Sequence, residues 1–150
     1  GWASWRRAWK FYDVEMKLWP EFREKRLFVD FCMNPEEAEQ RQGIYDKVFS
    51  GEMDTWDYQW GFAKLANSGL SITPNANLIS NIGFGADATH TSSGDNPFAA
   101  LEVQKMDFPL RHPAFVLRDR PSDLKYVDEF MLKKSRRGLK SILRGFTGNL

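Results

Sequence analysis

Cysteine is nearly absent: the 150-residue chain holds one, Cys32, which excludes an internal disulfide and any zinc site built on several thiolates. Histidine is scarce too, with only His90 and His112 available as imidazole ligands or proton carriers. No apolar run approaches the roughly 20 residues that a membrane-spanning helix needs, and the first residues lack the basic-then-apolar pattern of a secretory signal. These features lead us to expect a cytoplasmic location. With 11 glycines and 7 prolines, the composition does not suggest disorder. Hydrophobic residues make up 42% and charged ones 27%, which is enough for one globular core.

What the chain has in abundance is aromatic surface. All six tryptophans, Trp2, Trp5, Trp9, Trp19, Trp56 and Trp60, fall in the first 60 residues, and they suit either core packing or platforms for sugar rings. The opening run plunges straight into this aromatic sequence and reads like a chain cut within a domain. Charge is unevenly spread beneath a net +1: Lys133, Lys134, Arg136, Arg137, Lys140 and Arg144 crowd one stretch, and without them 15 basic residues face 20 acidic ones.

Apolar spacing predicts a first helix over residues 4–12, capped by Ser4, and a second from about Asp13 that weakens at Trp19 because Pro20 follows. Residues 27–33 fit a short buried strand or a packed loop. Asn34-Pro35-Glu36-Glu37 is a helix start, with a side-chain cap, a proline at the first position and acids facing the positive helix end. That helix is expected to reach about Phe49 and to stop near Gly51. A further helix is expected from Asp54 to Gly69, with Gly69 as a left-handed cap. Residues 70–82 and 114–117 read as short strands, residues 86–96 as a polar loop, and a last helix starts near Ser122 or Asp123.

Three motifs carry a family resemblance: Gly1-Trp2-Ala3-Ser4-Trp5-Arg6-Arg7-Ala8-Trp9, Asp54-Thr55-Trp56-Asp57-Tyr58-Gln59-Trp60, and Asn77-Leu78-Ile79-Ser80-Asn81-Ile82-Gly83-Phe84-Gly85 continuing to Asp87-Ala88-Thr89-His90-Thr91. With Phe108-Pro109-Leu110-Arg111-His112-Pro113 they resemble the C-terminal half of bacterial family 2 glycosyltransferases of the GT-A type, including nucleotide-diphospho-sugar transferases and haemolytic HlpA-like proteins. The resemblance implies a partial α/β GT-A fold, helix-rich with a few short strands and without the Rossmann-like donor half. It covers residues 1–120, and residues 121–150 form a separate basic tail.

By resemblance, Gly1, Trp2 and Ala3 stand beside the donor sugar, Asp57 is the base that deprotonates the acceptor hydroxyl, Trp56 and Tyr58 line the acceptor groove, and His90 completes a Mn or Mg site. The implied partners are a nucleotide-sugar donor and a glycan or other hydroxyl acceptor, with no nucleic acid. The residue types suit these roles. A base for a sugar hydroxyl must be a carboxylate within hydrogen-bond reach, and the first turn of a helix favours its anion. The plainer reading makes Asp57 a capping residue that answers Asp54. His112 and the Arg6-Arg7 pair read as structural and solvated. Leu139, Ile142, Leu143 and Phe146 recur at helical spacing among cations, so residues 133–146 suit either an anionic membrane surface or a solvated tail. The competing class is a non-catalytic interaction module that keeps the scaffold.

Overall fold

The computed structural model describes residues 2–80 and 101–132. They belong to two compact units, one of residues 4–70 with the chain from Leu117 onward, the other of residues 2–3 with Ser71–Val116.

The first unit is helical. Its elements are α1 (Arg6–Trp9), α2 (Trp19–Glu24), α3 (Phe28–Phe31), α4 (Pro35–Phe49), α5 (Asp57–Ala66) and α6 (Arg120–Tyr126), followed by a π-helical segment, Val127–Leu132. Helix α4 is the hub, since α2, α3, α5 and the π-helical segment all pack on it.

The start of α4 follows from its sequence. Asn34 is extended, and its side chain accepts the Glu37 N–H at 2.8 Å while Pro35 takes the first turn. Glu37 reaches back to accept the Met33 N–H at 2.7 Å and also takes the Arg41 Nε–H at 2.7 Å. The carboxylate is 0% exposed. A charge so deep persists only when paired and hydrogen-bonded, and Glu37 has both kinds of partner. Gly51, at φ +78°, lets the chain leave the helix.

The core is aromatic. Trp19, 1% exposed, lies between Phe28, Tyr45 and Phe62 with ring centroids 5.4 to 5.6 Å apart, and Phe22, Met16 and Val48 close around it. Its indole N–H donates to Asp46 Oδ1 at 3.1 Å, which gives the one polar atom of this side chain a partner. Of the other tryptophans, Trp2, Trp5, Trp9 and Trp56 are exposed and Trp60 is half-buried.

Several local expectations change. Helix α1 is only four residues long, and its cap position is Trp5, without a side-chain bond, rather than Ser4. No helix runs from Asp13: its carboxylate accepts the Glu15 and Lys17 N–H groups in a turn, and Met16 takes φ +49°. Pro20 opens α2 instead of ending a helix, because its missing N–H costs nothing in a first turn. Residues 28–31 form one helical turn, neither strand nor loop. At the end of α5 the left-handed residue is Ser68, φ +52°, while the Gly69 N–H closes on the Lys64 carbonyl at 2.8 Å. Helix α6 begins earlier than expected, at Arg120, because Asp119 accepts the Ser122 N–H and Pro121 fits the first turn.

No strand forms among the described residues, so the short strands expected at 70–82 and 114–117 are not formed over 70–80 and 114–117, and residues 81 and 82 lie outside the described residues. A strand needs a ladder, and here one side chain stands in its place. Asn77 donates to the carbonyls of Glu102 at 2.9 Å and Leu101 at 3.5 Å, and its own carbonyl accepts the Gln104 N–H at 2.7 Å. Ile72, Phe115 and Val116 remain exposed, whereas a sheet would have buried one face. The Phe108–Pro109 peptide is cis. Among the described residues no helix is long and apolar enough to cross a membrane.

Candidate functional site

The start of α5 carries three of the residues singled out by sequence. The buried stripe of this helix is Gln59, Phe62 and Ala63, with Phe62 packed into the Trp19 cluster. That stripe fixes the roll of the helix and leaves Trp56, Asp57 and Tyr58 facing solvent, Trp56 at 48% and Tyr58 at 37% exposure.

Asp57 is the first residue of α5. Its Oδ1 accepts two hydrogen bonds, one from the Thr55 hydroxyl and one from the Tyr58 N–H at 3.0 Å. Its Oδ2 has no hydrogen bond within the described residues. One oxygen is thus fixed while the other is free to accept a proton from a bound hydroxyl. The partner is Thr55 and not the Asp54 of the capping alternative.

Tyr58 anchors the site to the core. Its ring meets Tyr45 edge-on at 6.3 Å, and Tyr45 stacks on Phe28. Partial burial, and after it the charge of Asp57, raises the Tyr58 phenol above its ordinary value, so it is a hydrogen-bond donor near neutral pH. Burial pushes Tyr45 up to about 12, which keeps its hydroxyl protonated beside Arg41. Burial alone would lower Arg41, but the hydrogen bond and charge of Glu37 outweigh it, and the guanidinium is held above its ordinary value.

No family model, curated protein or solved structure matches this chain. The reading of the site therefore stands on the residues and their geometry.

The remaining candidates belong to the second unit or lie outside the described residues. Trp2 and Ala3 are exposed members of the second unit. Gly1, His90 and the basic stretch 133–146 lie outside the described residues. His112 is exposed, and the Arg7 guanidinium lies over the Trp5 ring at 5.2 Å. Among the described residues no three His, Cys, Asp or Glu side chains group so as to hold a metal ion. Burial, reinforced by the Glu37 charge, raises the Cys32 thiol to about 11, which keeps it protonated near neutral pH. A cleft of about 380 Å³ opens beside Phe22, Leu27 and Phe31 and includes none of the candidate residues.

Two residues of the site escaped sequence reasoning. Thr55 was within the quoted motif, but nothing marked its hydroxyl as the partner of Asp57. Gln59, 6% exposed, donates through Nε2 to the Thr55 carbonyl at 2.6 Å. A glutamine on the third residue of a helix that follows a threonine is the signal that was available.

Proposed function

We infer that this chain supplies the acceptor side of an inverting family 2 glycosyltransferase, which moves a sugar from a nucleotide-diphosphate donor to a glycan or other hydroxyl acceptor. One observation carries this reading. An exposed carboxylate, Asp57, is held by one oxygen with the other free of hydrogen bonds among the described residues, and its neighbours in sequence, Trp56 and Tyr58, are exposed aromatic residues. Aromatic faces suit the C–H faces of a pyranose, and a free carboxylate oxygen suits its hydroxyl.

In the reaction Asp57 Oδ2 takes the proton of the acceptor hydroxyl as that oxygen forms its bond to the anomeric carbon. The bond from the anomeric carbon to the diphosphate breaks in the same displacement, and the nucleotide diphosphate leaves with the electron pair. One displacement inverts the anomeric configuration. Trp56 and Tyr58 orient the acceptor. Gly1, Trp2 and Ala3 belong beside the donor sugar by resemblance. A Mn or Mg ion in the intact enzyme, with His90 among its ligands, would neutralise the diphosphate. The described residues do not by themselves form that site, and no step here is routed through it. The fold belonging to this reading is GT-A, with the basic stretch 133–146 suited to the inner face of the membrane and the enzyme in the cytoplasm.

The test is transfer by the complete polypeptide, donor half included, supplied with UDP-, GDP- and dTDP-hexoses, Mn²⁺ and a panel of oligosaccharides. Acceptor-dependent release of nucleotide diphosphate, with an inverted linkage by NMR, is expected. Failure to release nucleotide with every donor, or a retained linkage, contradicts the reading.

A further inference from the structure

The cap of α5 differs from those of its neighbours. Helix α4 is capped by Asn34 and α6 by Asp119, each accepting a backbone N–H through its side chain. Helix α5 has no such bond: its cap position is Trp56, and Thr55, the capping type of residue just before it, donates its hydroxyl to the Asp57 carboxylate instead. The Thr55 side chain therefore does not do what a threonine at a helix start ordinarily does. Its backbone is held from beneath, where buried Gln59 donates to the Thr55 carbonyl at 2.6 Å. The chain of contacts runs from a core side chain to Thr55 and from Thr55 to Asp57.

We propose that Thr55 is a positioning residue for Asp57, holding Oδ1 so that Oδ2 points to the acceptor hydroxyl. The inference rests on the glycosyltransferase reading given above. With Oδ1 tied to Thr55 and to the Tyr58 N–H, rotation of the carboxylate about its terminal bond is restrained, and Oδ2 is left without a hydrogen bond among the described residues. Without the hydroxyl only the bond from the adjacent N–H remains. A base displaced by about 1 Å loses on the order of 100-fold in rate.

The experiment compares Thr55→Val, Thr55→Ser, Asp57→Asn and the double variant Thr55→Val/Asp57→Asn in the complete polypeptide. The readout is nucleotide diphosphate released from whichever UDP-, GDP- or dTDP-hexose supports turnover by the unaltered enzyme. Thr55→Val is expected to lower kcat on the order of 100-fold with KM for the acceptor unchanged. Thr55→Ser, which keeps the donor, is expected to restore kcat, and the double variant to be no slower than Asp57→Asn alone. The proposal is overturned if Thr55→Val turns over like the unaltered enzyme, if Thr55→Ser is as slow as Thr55→Val, or if Thr55→Val slows Asp57→Asn further. Wild-type turnover by Asp57→Asn sinks the parent reading instead, so the two failures are distinguishable. Because Thr55 is half-exposed, folding of each variant is checked by circular dichroism.

Discussion

Replacing Glu37 with alanine is expected to be a severe single change outside the aromatic core. The carboxylate is fully buried, and its loss deprives the Met33 N–H and the Arg41 guanidinium of their partner at once. Arg41 is 27% exposed at its side chain, so water replaces the lost contact only in part. Breaking a buried pair from one side costs about 3–5 kcal/mol. The Met33 bond also fixes the entry into α4, on which α2, α3 and α5 pack, so the upper part of that range applies. For a chain of 150 residues each kcal/mol moves Tm by about 2–4 °C, and Glu37→Ala is expected to lower Tm by roughly 10–15 °C. Thermal melting followed by circular dichroism, with urea titration for the free energy, measures it. Adding Arg41→Met to Glu37→Ala should recover part of the loss, because the orphaned cation goes with it. A Tm for Glu37→Ala within 2 °C of the unaltered protein, or a double variant no better than the single, would refute the reasoning.

Trp19→Ala removes the ring on which Phe28, Tyr45 and Phe62 converge and leaves Asp46 without its indole donor. A loss of about 3–5 kcal/mol in urea titration is expected, whereas Trp5→Ala, an exposed site, should change stability by under about 1 kcal/mol. Alkaline pH should also destabilise the protein. Tyr45 ionises near 10.0 when unfolded and at about 12 when folded, so its stabilising effect is complete below pH 10 and is lost as pH rises toward 12. Two pKa units correspond to about 3 kcal/mol, and Tyr45→Phe, by denaturant titration at pH 9 and 11.5, should lose most of that pH dependence.

Some of this was legible in the residues. Asn34-Pro35-Glu36-Glu37 announced α4 because cap, proline and acids act through local geometry that no distant contact overrides. The burial of Glu37 was not legible, since it depends on Arg41 one turn later and on Met33 before the helix. Pro20 misled because a proline is compatible with a helix start as well as a helix end, and only packing of Trp19 and Phe22 on α4 selects the former. The run 27–33 lacked a decisive period; one helical turn suffices to aim Phe28 into the core. At the site, the first-turn position of Asp57 followed from the motif, but its bond to Thr55 depends on side-chain torsions that spacing does not encode.

The most direct measurement is turnover and donor binding by Asp57→Asn in the complete polypeptide. The substitution keeps the shape and the hydrogen bond from the Tyr58 N–H but removes the basic oxygen. Donor affinity by calorimetry should be unchanged while acceptor-dependent release of nucleotide diphosphate falls by about 10²–10⁴-fold. Release at the unaltered rate would contradict the assignment of Asp57 as the base.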